Sequence, residues 1–272
     1  MSGGRNGCPS GWSQYGSRCF IFMHREMPWI DAEKYCVRNG ANLASVHTAQ
    51  EYRFIQDVVK MATGGFRQTW IGGTDAIEDR TWFWSDGSGL HFQLWGIGEP
   101  NNLNGNERCL EINRSDSTGL KELQTEKEVG EEILDDVYRS SCPPGWSKYG
   151  SRCFIFINRA MPWVNAEKYC TGNGGNLASV HNRGEYQFIQ EVVRGGTGRF
   201  PQAWIGGNDA VKNYVWLWSD GSGFHFQDWA IAQPDNNQNN EKCVAMNQAD
   251  ELLWGDVRCE LSLPFVCGTR PL

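Results

Sequence analysis

The sequence predicts an α+β protein of two tandem domains, each with two helices and short antiparallel sheets, the first domain truncated at its C-terminus. Three observations lead there. The chain repeats itself: "CPSGWSQYGSRCFIF" from Cys8 returns as "CPPGWSKYGSRCFIF" from Cys142, and "NLASVH" returns unchanged. "WFWSDGSGLHFQLW" returns as "WLWSDGSGFHFQDW", and the offset stays at 134, without a gap, up to Cys109 and Cys243. Self-similarity at a fixed offset is the signature of a duplicated unit. Each copy also passes from helical periodicity to short, aromatic, turn-bounded runs, the pattern of helices followed by strands. Finally, 272 residues with 13 tryptophans suffice for two domains with cores of their own.

The elements follow in chain order. "PWIDAEKYC" is helical in character, and Gly40 stands where such a helix would stop. Thr48 with Glu51 three residues later predicts a capping box, which Asn182 with Glu185 repeats. Phe54, Ile55, Val58 and Val59 then fall on one helical face. "TWIGG" and "TWFWSDG" are short and aromatic, and are read as strands.

The copies part after Cys109 and Cys243. The second continues "VAMNQADELLWGDVRCELSLPFVC", which supplies Trp254, Cys259 and Cys267. The first continues without tryptophan or cysteine, and from Lys121 to Asp136 it holds seven acidic residues against two lysines. Such a stretch reads as a solvated linker. The expected organisation is a truncated domain over 1–119, an acidic linker over 120–141 and a complete domain over 142–272. Losing the last strands leaves a sheet edge to cover; "EEILDDVY" (Glu131–Tyr138) is the candidate substitute strand.

The formal charge of -7, with no basic stripe, argues against nucleic acid. No apolar run approaches the roughly 18 residues of a membrane span. The ten cysteines sit at wide spacings among turn residues rather than in CxxC pairs. That usage suits disulfides and an oxidising compartment. Asn113-Arg114-Ser115 is a glycosylation sequon of the same tendency. The expectation is a secreted protein whose leader is not in this sequence, since "MSGGRNGCPSGW" has no apolar h-region.

Each half resembles a C-type lectin-like domain. The residues that carry the resemblance are the cysteines around "GWS-YGSRCF", the "AEKYC" helix, "NLASVH", "WIGG", "W-WSDG", the triplets Glu99-Pro100-Asn101 and Gln233-Pro234-Asp235, and "WGD" with "LPFVC". The wording "WIGGTDA" and "WFWSDGSG" is similar to fish plasma lectins of the ladderlectin and nattectin kind and to type II antifreeze proteins. The resemblance implies disulfides Cys142–Cys153, Cys170–Cys267 and Cys243–Cys259, with Cys8–Cys19 in the first half. Cys36 and Cys109 are left without their partners, to pair with each other, with another chain, or to stay free.

Calcium takes oxygen ligands from carboxylates, amide carbonyls and water. Gln233 and Asp235 offer two such oxygens, and a cis bond at Pro234 would let both side chains face one ion. Glu241 and Asp256 add carboxylates, for about five ligands in all, with places left for two vicinal sugar hydroxyls. By resemblance, Gln-Pro-Asp is the galactose-type triplet and Glu-Pro-Asn the mannose-type one. Glu99, Asn101 and Glu107 would then be a degenerate site, lacking the final ligands. The second site departs from the family where Gly255 stands in place of an asparagine, and where Asn236–Asn240 replaces a sugar-stacking aromatic.

His47, His91, His181 and His225 recur with the repeat but have no partner at metal-ligand spacing, and are read as structural. Neither a Gly-x-Ser-x-Gly elbow nor a His-Glu-x-x-His helix occurs, so the expected protein is no enzyme. The expected function is calcium-dependent glycan binding in innate pattern recognition, by a monomer or a homo-oligomer. The rivals are ice binding, as in type II antifreeze proteins, and calcium-independent protein binding.

Overall fold

The computed structural model describes residues 7–96, 98–113 and 142–269. The expected linker, the candidate strand Glu131–Tyr138 and Ser115 of the sequon lie outside them. The first half runs β1 (Ser13–Tyr15), β2 (Arg18–Phe20), α1 (Trp29–Arg38), α2 (Ala49–Thr63), β3 (Thr69–Thr74), β4 (Phe83–Trp84) and β5 (Cys109–Ile112). The second half runs β6 (Ser147–Tyr149), β7 (Arg152–Met161), α3 (Trp163–Thr171), β8 (Asn176–Leu177), α4 (Arg183–Thr197), β9 (Ala203–Asn208), β10 (Leu217–Trp218) and β11 (Cys243–Gln248). It then adds β12 (Leu253–Val257) and β13 (Leu263–Thr269). The architecture is α+β, with two α-helices in each half among the described residues.

The helix starts come out as a variation on the capping box. Thr48 Oγ1 accepts from Glu51 N at 3.1 Å, and Asn182 Oδ1 accepts from Glu185 N at 2.9 Å. The reciprocal half reaches one residue further back: Glu51 Oε2 accepts from His47 N at 2.8 Å, and Glu185 Oε2 from His181 N at 2.7 Å. Their other oxygens are taken by Arg18 and Arg152, which draws each glutamate toward the β-strand behind it. Gly64 and Gly198 then close α2 and α4 in the left-handed conformation that glycine adopts without strain.

"TWFWSDG" yields a shorter strand than expected, Phe83–Trp84 alone. Asp86 Oδ1 accepts from Ser88 N at 3.0 Å, an aspartate side chain folding its own backbone into a turn.

The two halves differ in what lies beside their first strands. In the second half one eight-stranded sheet has the order β12-β11-β9-β13-β7-β6, with β10 on β9 and β8 on β13. Strand β13 lies between β7 and β9, antiparallel to the first and parallel to the second. Among the described residues the first half has no counterpart of β12 or β13, and its strands form two separate sheets, β1-β2 and β4-β3-β5. The stretch "RCFIF" is identical in both halves, yet β2 stops at Phe20 while β7 continues to Met161. The added residues of β7 are those that pair with β13, Ile155, Phe156, Ile157 and Met161 among them. Partner availability, not local propensity, decides the strand.

The cores follow the sheets. Trp218, Trp254, Tyr186 and Phe154 are buried in one cluster with Ile189 and Val193 of α4, and Trp204 in a second with Trp163 and Leu177. Trp70, the repeat of Trp204, is only half-buried. Four disulfides close the fold: Cys8–Cys19, Cys142–Cys153, Cys170–Cys267 and Cys243–Cys259. Cys36 and Cys109 are free and half-buried.

Candidate functional site

The Gln233–Pro234 and Glu99–Pro100 bonds are both cis. Beyond Pro234 the chain enters a tight asparagine loop, with Asn236, Gln238 and Asn239 at positive φ, and then reaches β11. Strand β12 pairs antiparallel with β11, Asp256 opposite Val244, which brings the "WGD" aspartate beside that loop.

The consequence is convergence. Carboxylate oxygens of Asp235, Glu241 and Asp256 lie within 4.8 Å of one another, Asp235 exposed, Glu241 half-buried and Asp256 buried. Asp256 Oδ1 accepts from Asp235 N at 3.0 Å and Oδ2 from Asn236 N at 2.8 Å. In return Gln233 Oε1 accepts from Asp256 N at 3.0 Å. Glu241 Oε2 accepts from Asn237 N at 3.0 Å. The loop and the strand thus hold each other's candidate ligand residues in place.

The charges are not balanced among themselves. Burial, and then the neighbouring Asp235 and Asp256, pushes the Glu241 carboxyl above the usual range. Burial, and then the Asp235 charge, does the same to Asp256. The nearby Lys242 ammonium donates to Asn213 Oδ1 and Asn236 Oδ1 rather than to these carboxylates. Three convergent carboxylates and an amide carbonyl are a donor set of all-oxygen character, and fit calcium.

Asn236 and Gln248 are the residues that sequence reasoning missed. Asn236 is buried, and its Oδ1 accepts from Glu241 N at 3.2 Å, fixing the far end of the loop. Asn102 Oδ1 holds Glu107 N at 3.2 Å in the same way, so the asparagine shared by both copies was the available signal. Gln248 covers Gly255: a Cβ at 255 would meet Gln248 Cγ and Cδ at 3.0 Å and Gln233 Oε1 at 3.2 Å. No motif announced it.

The first-half residues are placed differently. Glu99 Oε2 accepts from Asn101 N at 3.1 Å and Glu99 Oε1 from Asn101 Nδ2 at 3.0 Å, so the triplet's flanking side chains bond to each other. Glu107 Oε2 accepts from Leu103 N at 3.2 Å. No acidic residue among the described ones takes the place of Asp256 there. Asn113 of the sequon is half-buried with its amide engaged, Nδ2 donating to Arg67 O at 3.1 Å, as its repeat Asn247 donates to Pro201 O at 3.0 Å.

Two of the repeated histidines, His47 and His181, belong to a part-buried network. Ser179 Oγ lies 3.1 Å from His181 Nε2, donates to Asp220 Oδ2 and accepts from Arg152 Nη2 at 2.7 Å. Ser45, His47, Asp86 and Arg18 repeat the arrangement. The composition is that of a catalytic triad, but the geometry is not. Here the aspartate binds the serine instead of orienting the histidine, and both serines are fully buried.

The lectin C-type domain model matches residues 25–128 and again residues 159–269. The chain belongs to this family. Ladderlectin of Oncorhynchus mykiss is 47% identical over 134 residues, covering 49% of this chain and 70% of its own. The galactose-specific lectin nattectin of Thalassophryne nattereri is 44% identical over 129 residues, 47% of this chain and 80% of its own. A type-2 ice-structuring protein of Osmerus mordax is 35% identical over 129 residues, 47% of this chain and 71% of its own. Each therefore matches about one half of this C-type lectin. Among the described residues no helix is long and apolar enough to cross a membrane.

Proposed function

We propose that the second half binds calcium through Gln233, Asp235, Glu241 and Asp256, and through that site a galactose-type glycan. The observation that carries the reading is the approach of three carboxylates within 4.8 Å at a loop braced by Gln233 and Asp256. When bound, the ion supplies two coordination places to vicinal sugar hydroxyls. The chain's own part is directional: the Gln233 amide group can donate to a hydroxyl while the Asp235 carboxylate accepts from one. That order of donor and acceptor resembles the galactose-type triplet, and nattectin, a galactose-specific lectin, is among the relatives. Four disulfides suit secretion and a role in extracellular glycan recognition. The first half, with Glu99 and Asn101 bonded to each other, is proposed to hold no ion of its own.

Ice binding is the second reading. It is favoured by the exposed stretch 237–240, which has no aromatic ring, and by the likeness to an ice-structuring protein. Calorimetric titration of calcium into the full chain, with and without galactose, separates the two. Saturable calcium binding that tightens with galactose supports the lectin. Silence in both titrations, together with thermal hysteresis of the protein solution, supports ice.

A further inference from the structure

The two halves meet through contacts that repeat with the halves exchanged. Asn42 Nδ2 of the first half donates to Gly221 O of the second at 3.0 Å, and Asn176 Nδ2 of the second donates to Gly87 O of the first at 2.9 Å. Both pairs are related by the same offset of 134. Each asparagine is aimed by a buried glutamate of its own half: Asn42 Nδ2 also donates to Glu33 Oε1 at 2.7 Å, and Asn176 Nδ2 to Glu167 Oε1 at 2.7 Å. The backbones between them touch. A Cβ on Gly87 would come within 2.8 Å of Asp220 Cα, and one on Gly221 within 2.8 Å of Asp86 Cα. Around this centre Phe83 meets Trp163 edge-on at 6.5 Å, and Ile77 packs on the second-half cluster of Trp163 and Leu177. Val211, the repeat of Ile77, lines a small cavity together with Trp29 and Val37.

The two copies have diverged unequally. Glu33, Asn42, Ser85, Asp86 and Gly87 have identical repeats in Glu167, Asn176, Ser219, Asp220 and Gly221. The candidate ligands have not stayed alike: Glu99 and Asn101 stand against Gln233 and Asp235. A face whose central asparagine bonds and glycine approaches are each matched by their own repeats is self-complementary at its centre, the condition for pairing two like units about a two-fold axis.

We infer that the complete second half carries a self-complementary docking face, and that the truncated first half occupies it as a built-in partner, in place of a second copy of the chain. On this account the first half keeps the protein monomeric rather than binding a ligand. Expelling the first half alone leaves the second-half face intact and free to take its equal from another copy.

The test is the mass and radius of gyration of the full chain in solution, by light and X-ray scattering, for the wild type and three variants. Ile77→Glu and Gly87→Val each spoil only the first-half side. Ile77→Glu places a charge against an apolar cluster, and Gly87→Val sets a side chain against backbone that cannot yield. Ile77→Glu/Val211→Glu spoils both sides. Near-ultraviolet circular dichroism and a count of intact disulfides establish that each variant is folded. The wild type is expected at the mass of one chain, 30.7 kDa, and each first-half variant at the mass of two. The doubly spoiled variant is expected back at one chain with a larger radius. A folded Ile77→Glu or Gly87→Val protein that keeps the mass of one chain overturns the inference, as does a wild type with the mass of two.

Discussion

The side chain of Gln248 lies over the backbone of Gly255, with Cγ and Cδ each 3.0 Å from the point a Cβ at position 255 would occupy. The glycine is where the resembled family carries an asparagine, and the space of that side chain is filled by Gln248, whose Oε1 accepts from Gln202 Nε2. Gly255→Asn should overpack this corner, lowering stability toward urea by about 1–3 kcal/mol. Combining it with Gln248→Ala frees the space. The double variant should recover most of that loss and bind calcium more tightly than the single one, read by chemical unfolding and calorimetry. A single variant as stable as the wild type would show that Gln248 swings aside at no cost.

Asp256 has two separable duties. Its carboxylate accepts the backbone N–H groups of Asp235 and Asn236, and it faces Asp235 and Glu241. Asp256→Ala leaves the buried Asn236 N–H without an acceptor, for a loss of about 1–3 kcal/mol, and should abolish calcium binding. Asp256→Asn keeps one carbonyl acceptor. It should restore part of the stability while leaving calcium binding lost, since a charged ligand is gone. Calcium affinity unchanged in the asparagine variant would remove Asp256 from the ligand set.

How much of this was legible depends on distance along the chain. The duplication, the helix caps at Thr48 and Asn182, and the cis bond at Pro234 are local, and a linear reading reaches them. The end of β2 at Phe20 was not legible, because the same five residues extend into β7 when β13 lies beside them. Gln248 was hidden for the same reason. Its role comes from the β11–β12 register, where a bulge between Ala245 and Gln248 brings it near Gly255. The meeting of Asn42 with Gly221 joins residues of different halves and leaves no mark in either motif.

Glu167 gives the fold a pH dependence of stated sign. It is fully buried, accepting from Asn176 Nδ2, Leu177 N at 2.8 Å and Ser219 Oγ at 2.9 Å. Burial pushes its carboxyl up from 4.5 to about 7. Between those pH values the folded chain keeps a proton that the unfolded chain has released. Stability is therefore greatest below this window and falls as pH rises through it, by up to about 1.4 kcal/mol per pH unit. Glu167→Gln cannot titrate, and should lose this slope even if it is less stable at every pH. Urea unfolding across pH 5 to 7.5 measures both, and an unchanged slope in the variant would assign it to another group.

Cys36 and Cys109 are the thiols whose second-half counterparts are bridged, Cys170 to Cys267 and Cys243 to Cys259. Burial first, and then the charge of Glu33, pushes Cys36 up to about 11; burial first, and then Asp75, takes Cys109 to about 11. The thiolate is the reactive form, and an exposed cysteine ionises near 8.5. At pH 7.5 the lower thiolate content alone slows alkylation a few hundred-fold relative to an exposed cysteine. The native protein should therefore resist a maleimide or iodoacetamide reagent at pH 7.5, and the denatured, unreduced protein should show both thiols at once. A denatured chain with no thiol would mean that the two have found each other, or another chain, and that the first half is closed by a bridge its second-half counterpart does not have.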